Sequence, residues 1–200
     1  MVGLEELFEV PVLEAYGMTE ASHQISSNPL PPGKRVPGSV GLGTGVAIAI
    51  MDGEGVLQPS GVPGEVVIQG ANVISGYEDN PEANASSFNN GWFGTGDQGI
   101  VDSEGYLKLL GRIKEIINRS GEKISPSEID EVLLSHPAVT EAVAFAVSHP
   151  VHGEEPSAVV VLNGVATESD LMRFCRDHLA DFKCPKTIHI VEEIPRTATG

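Results

Sequence analysis

The residues best suited to chemistry sit in two short stretches. Tyr16-Gly17-Met18-Thr19-Glu20 sets a hydroxyl and a carboxylate side by side on a turn that follows an aromatic and a glycine. Such a pair can hold a phosphate oxygen and a Mg²⁺, because hard cations prefer carboxylate and phosphate oxygens. It can equally be a capped turn, with Thr19 as the N-cap. Gly94-Thr95-Gly96-Asp97 offers a carboxylate on a tight, glycine-flanked turn. Its two oxygens can accept two hydroxyl hydrogens together, as a ribose 2′,3′-diol requires, or Asp97 can satisfy its own turn. His23, on the loop that follows Thr19, is either a structural residue or part of the same site. Lys183, Pro185 and Lys186 form a small basic turn, either a solvated loop or a local phosphate contact. His149 and His152 bracket a polar turn and read as surface residues.

Charge narrows the partners. The 200 residues carry 28 acids and 12 bases, a net charge of −16. A nucleic-acid partner is excluded, since binding a phosphate backbone needs a basic face. An anionic ligand must then be held locally, by backbone amides, a few Arg or Lys side chains, or a metal ion. Hydrophobic residues make up 40% of the chain, yet no apolar run reaches the ~18 residues of a membrane helix. The opening MVGLEELFEV has acids where a signal peptide has bases. Cys175 and Cys184 lack metal-site spacing and read as reduced thiols in a cytosol-like compartment.

The elements that must position these residues divide in character near residue 112. Leu4–Phe8 reads as the end of a helix and Val10–Leu13 as a buried strand; 28–38, with four prolines, is a loop. Apolar runs at 46–51, 66–68 and 73–74 alternate with turn signals at Asp52-Gly53, Glu54-Gly55 and Pro63-Gly64, and this spacing predicts a small antiparallel sheet or distorted barrel. Pro81 opens a short helix, 102–105 is a hairpin tip, and Tyr106–Leu110 returns as a strand. Then 111–130 joins two regions. Lys114–Arg119 suits a short strand at a junction, and Ser125, Pro126 and Glu128 form a helix start with a capping box. Ile129, Val132 and Leu133 mark a buried helical stripe. Strands at 139–147, 158–162 and 187–191 alternate with a helix capped by Thr167 that buries Leu171, Phe174, Cys175 and Leu179. The fold class is α+β: residues 1–112 as part of a larger domain, and 113–200 as a small domain with a three-stranded sheet.

Taken together, the ordered motifs YGMTE at 16, GEVVIQG at 64, WFGTGD at 92, GRIKEIINRSGEKISPSEID at 111 and PRTATG at 195 resemble the adenylate-forming superfamily of acyl-CoA synthetases, peptide-synthetase adenylation domains and luciferases. The resemblance covers nearly the whole chain. TEASHQISSNPLPPG, INRSGEKISPSEID and DFKCPK are most similar to the oxalate–CoA ligase branch.

This resemblance implies ATP, AMP, Mg²⁺ and coenzyme A as ligands and a small carboxylate as substrate. Tyr16 would stack on adenine beside Gly17, Thr19 would contact the α-phosphate, and Glu20 would hold Mg²⁺. Asp97 would accept the ribose hydroxyls, with Arg112 in support, and Lys114 would be the hinge of the small domain. Ser120, Gly121 and Glu122 would approach the pantetheine arm, Lys186 would meet CoA phosphates, and His23 would border the acyl pocket and bind a distal carboxylate. The family's Gly/Ser/Thr-rich phosphate loop, expected before YGMTE, and its lysine after the final TG are both missing. The expectation is therefore a C-terminal portion of a ligase, inactive alone, in the cytoplasm or the peroxisome. The alternatives are a fatty acyl-CoA synthetase, a peptide-synthetase adenylation domain, and a non-catalytic module binding CoA or a protein.

Overall fold

A computed structural model describes residues 2–196. Its contacts divide the chain into two compact units between Ile113 and Lys114.

The first unit opens with α1 (Val2–Phe8), β1 (Ala15–Met18), a single 3₁₀ turn at Thr19–Ala21, β2 (His23–Ser27) and β3 (Leu42–Gly43). These strands form one antiparallel sheet in the order β1-β2-β3. No strand forms at 10–13. There the Val12 amide donates to Glu5 Oε1 at 2.9 Å, Arg35 closes on the same oxygen, and Val10 is exposed. A polar tether from α1 therefore overrides the apolar run. The second sheet comprises β4 (Ala47–Met51), β5 (Gly64–Gln69), β6 (Phe88–Asn89), β7 (Trp92–Val101) and β8 (Leu107–Arg112), all antiparallel, with α2 (Pro81–Ser87) preceding β6. It is a curled, open sheet.

Two of its reversals are made by one repeated device. Asp52 Oδ1 accepts the amides of Glu54 and Val56 at 2.9 Å, and Asp102 Oδ1 accepts those of Glu104 and Tyr106 at the same distance. A short acceptor that bonds its own backbone two and four residues on makes the reversal a local matter. By contrast, the expected turn at Pro63-Gly64 sits earlier, where the Val62 amide donates to Pro59, and Gly64 already belongs to β5. The apolar run at 73–74 is loop. Ile25, Ile50, Val66, Ile68, Phe93 and Leu107 fill the core.

In the second unit, β9 (Ile117–Arg119) and β10 (Glu122–Ile124) form a hairpin whose tip, Ser120-Gly121, has φ of 51° and 95°, the type I′ signature. After α3 (Pro126–Leu134), the long strands β11 (Val139–His149) and β12 (Gly153–Leu162) pair antiparallel with a register shift between Val139 and Glu141; then come α4 (Glu168–His178) and β13 (Ile188–Val191), which runs parallel to β12. The sheet has five strands rather than the expected three. A single pairing, Gly153 with Arg119, joins the β9–β10 hairpin to it.

The stripes of α3 and α4 bury Ile129, Leu133, Leu171 and Cys175 completely against Ala158, Val160 and Ile188. Each large aliphatic side chain removed from water there contributes about 2 kcal/mol. Thr167 caps α4 as expected, and Asp170 completes a reciprocal capping box with it. The box expected at α3 does not form, because Ser125 Oγ lies 2.7 Å from Ser127 Oγ and Glu128 turns to Lys183. Phe174 is half-buried, meeting His136 edge-on at 5.0 Å and the tilted ring of His178 at 4.2 Å.

Candidate functional site

A bulge builds the site. Opposite Glu65–Val67 of β5, strand β7 runs from Gly94 to Gln98, so it carries two extra residues. Extra residues bend a strand and re-aim its side chains. Asp97, expected on a tight turn, therefore lies inside a strand. Gly96 adopts φ +74°, a left-handed conformation that favours glycine. Its amide donates to Glu65 Oε1 at 3.0 Å. The Thr95 hydroxyl donates to the Val66 carbonyl at 2.8 Å and accepts the Asp97 amide at 3.1 Å.

The buried Asp97 carboxylate is held from two sides. Arg112, its partner across the β7–β8 ladder, places Nε 3.0 Å from Oδ1. Tyr16, which lies 81 residues away in sequence, donates its hydroxyl to Oδ2. Burial, and then this bond, push the Tyr16 phenol well above its ordinary range, so it stays a donor. Each Asp97 oxygen keeps a second lone pair for an incoming hydroxyl.

Thr19 and Glu20 reach the same place through the β1–β2 hairpin. Gly17 is required there because a Cβ would stand 1.7 Å from the His23 carbonyl oxygen. Tyr77 donates its hydroxyl to Glu20 Oε1 at 3.0 Å, which raises the phenol's pKa further after the effect of burial. Gly17, Thr19, Glu20, Tyr77, Thr95, Gly96 and Arg112 all line one cleft of about 530 Å³, together with Glu65. Two lining carboxylates, Glu20 and Glu65, against one arginine make it acidic, so an anionic ligand entering it needs a compensating cation.

Other expected positions lie elsewhere. His23 is exposed, with φ +80°, and it does not line the cleft. Lys114 is exposed on a 3₁₀ turn at the division between the units. Ser120, Gly121 and Glu122 are exposed on the β9–β10 hairpin, and Lys186 is exposed before β13. Lys183 is engaged by Glu128, with both carboxylate oxygens at 2.7 Å. Of the PRTATG segment, residues 197–200 lie outside the described residues, and Arg196 pairs with Glu141 at 2.8 Å.

Glu65, Tyr77 and Thr95 were not singled out from the sequence. Glu65 belongs to GEVVIQG and Thr95 to WFGTGD, but an acid on a strand carries no signal until the bulge faces it. His149 and His152, expected as plain surface residues, stack at 4.8 Å over Glu155, with ligand atoms within 4.8 Å of one another. The Val151 and His152 amides donate to His149 Nδ1 at 3.3 and 3.1 Å, leaving Nε2 to carry the proton toward Glu155. Arg119 already reaches Glu155 at 3.4 Å. A cation would have to displace both, so the cluster acts as a tie between the hairpin and β12.

Two family models match: that of the AMP-binding enzyme over residues 2–78, and that of the AMP-binding enzyme C-terminal domain over 128–200. The chain belongs to the AMP-binding enzyme family. Both cleft-forming turns, Thr19-Glu20 and the loop ending at Tyr77, fall in the first match. This AMP-binding enzyme chain is 54% identical over 200 residues to an oxalate–CoA ligase of Arabidopsis thaliana, covering 98% of the chain and 39% of the relative. It is 41% identical to a sulfoacetate–CoA ligase of Cupriavidus necator, again over 98% of the chain and 39% of the relative. The crystal structure of ATP-bound MatB from Rhodopseudomonas palustris superposes with a TM-score of 0.88 at 38% identity, over 94% of this chain and 38% of that one. The chain thus spans about two-fifths of the length of the proteins it matches. Among the described residues no helix is long and apolar enough to cross a membrane.

Proposed function

We propose that this chain is the C-terminal portion of an ATP-dependent carboxylate–CoA ligase that works through an acyl-adenylate. The observation that carries the reading is that Thr19, Glu20 and Arg112 line one cleft while Arg112 also pairs with Asp97, which Tyr16 holds from its other side. Asp97 accepts the ribose hydroxyls on its remaining lone pairs while Arg112 holds the carboxylate in place. The Tyr16 ring lies against adenine, and the Thr19 hydroxyl donates to an α-phosphate oxygen.

The residues fit a Mg²⁺. Glu20 offers a hard carboxylate whose Oε2 takes no hydrogen bond among the described residues, beside the Thr19 hydroxyl. When bound there, the ion supplies positive charge to a cleft that is otherwise acidic and to the phosphates it receives.

In the first half-reaction, a substrate carboxylate oxygen bonds to the α-phosphorus and the bond to pyrophosphate breaks. In the second, the CoA sulfur, having lost its proton, bonds to the acyl carbon and AMP leaves. Ser120, Gly121 and Glu122 meet the pantetheine arm and Lys186 meets CoA phosphates, with Lys114 as the hinge between the two steps.

For the acid we propose oxalate, or another small acid with a second anionic group. Oxalate and sulfoacetate, named for two relatives, share that feature, and His23 is the residue assigned to the distal charge. The chain alone forms no adenylate, because it spans only two-fifths of its relatives' length. The test is pyrophosphate release by the full-length gene product with oxalate, sulfoacetate and a medium-chain fatty acid in parallel. Turnover with the small dianions supports the reading. Turnover with the fatty acid alone removes the substrate assignment and keeps the ligase, and no turnover with any of them sinks the ligase reading for these acids. Carboxylate-dependent release by the 200-residue chain removes the claim of inactivity.

A further inference from the structure

The loop between β5 and α2 is fastened to the Thr19–Gln24 segment at several points. The Ile74 amide donates to the Glu20 carbonyl at 2.8 Å. The Asn72 side chain donates to the carbonyls of Ala21 and Gln24 at 2.7 and 3.0 Å, and its own carbonyl accepts the Ser22 hydroxyl at 3.0 Å. Tyr77 ends this loop and is itself gripped by α2. Its amide donates to Asn84 Oδ1 at 2.6 Å, and Asn84 Nδ2 donates to its carbonyl at 2.9 Å. The Tyr77 ring packs at 6.5 Å on Phe93 of the core. With backbone and ring both placed, the hydroxyl meets Glu20 Oε1 at 3.0 Å from a fixed direction.

We propose that Tyr77 is a positioning residue for the divalent cation: its hydroxyl fixes the rotation of the Glu20 carboxylate so that Oε2 is presented to the cleft. The inference rests on the reading of Glu20 as the cation's ligand. A glutamate with a free terminal torsion must be ordered when the ion binds, and a hydrogen bond already in place lowers that cost. Partners that orient ligating carboxylates are worth about 10–100-fold in metal affinity. Tyr77 suits the task because the bond needs a donor on a rigid arm, and its backbone and ring are both held in place.

The test is ATP binding to the full-length protein by titration calorimetry at a series of Mg²⁺ concentrations, with AMP binding in the absence of metal as the internal control. Tyr77→Phe keeps the ring on Phe93 and removes only the hydroxyl. The expected result is a rise of about 10-fold or more in the Mg²⁺ concentration that half-saturates ATP binding, with AMP affinity and the unfolding midpoint unchanged. A shift below about twofold overturns the proposal, and so does a parallel loss of AMP affinity, which would mark Tyr77 as packing for the whole cleft. Glu20→Gln separates the two levels. If it moves the Mg²⁺ dependence and Tyr77→Phe does not, the positioning role fails alone. If neither moves it, Glu20 is not the ligand and both readings fall.

Discussion

Asp130 Oδ1 accepts the Ala144 amide at 2.6 Å, closing a carboxylate of α3 onto the middle of β11. Burial holds this carboxyl up at about 6, despite the amide's opposing effect. The native state therefore binds a proton more readily than the unfolded chain, whose Asp titrates near 3.8. By linkage, Asp130's contribution to stability is fullest below the unfolded value and is lost as pH rises through about 6. Asp130→Asn keeps an acceptor for Ala144 and removes the buried charge. Denaturant unfolding across pH 4 to 8 should show the variant gaining on wild type as pH rises, by ~1 kcal/mol at pH 8 after allowance for partial exposure. A difference that stays flat with pH would count against it.

Cys175 and Cys184 are both free and buried. Burial pushes the Cys175 thiol up to about 11, with a smaller push from Cys184, and burial also raises Cys184. Because the thiolate is the reactive form, neither should react with a chromogenic disulfide at pH 8 in the native protein. Both should react once guanidinium unfolds it. Rapid labelling of one thiol before unfolding would show that this core opens locally.

Lys183 and Glu128 stand 55 residues apart and meet with both carboxylate oxygens at 2.7 Å, the lysine being the less exposed partner. A double-mutant cycle on Glu128→Gln and Lys183→Met should give a coupling of about 0.5–1 kcal/mol that shrinks in 1 M salt. Zero coupling at low salt would mean that the pair only covers the buried face of α3.

Asp97→Asn keeps the shape of the side chain yet loses the charge that Arg112 faces and the strong acceptor of the Tyr16 hydroxyl. AMP affinity of the full-length protein should fall about 10–100-fold, as charged hydrogen bonds are worth roughly 1.5–3 kcal/mol. Calorimetry checks this, with circular dichroism confirming that the sheet persists. Unchanged affinity would remove Asp97 from the nucleotide site.

The motifs made YGMTE and WFGTGD candidates from the sequence, and Gly17–Glu20 of the first and Phe93–Gly96 of the second line the cleft. What the residues alone left open was how Asp97 is held. A turn around Gly94–Asp97 and a bulged strand use the same glycines, and only the pairing with β5 decides between them. The Ser125–Glu128 box was plausible locally and lost to Lys183, a partner that no window of a few residues contains.

By itself, the sequence determined whatever depends on neighbours within about four residues. The Asp52 and Asp102 reversals, the Thr167–Asp170 cap and the buried stripes of α3 and α4 follow from side chains bonding to, or lying one turn from, their own backbone. Tertiary structure alone decided the joining of the β9–β10 hairpin through Gly153 and Arg119, the Tyr16–Asp97 bond across 81 residues, and the clasp of Tyr77 on Glu20 across 57. The physical reason is that an isolated hydroxyl, carboxylate or strand edge has many equivalent partners. It acquires one only when burial of the core residues brings distant segments to a fixed distance and direction.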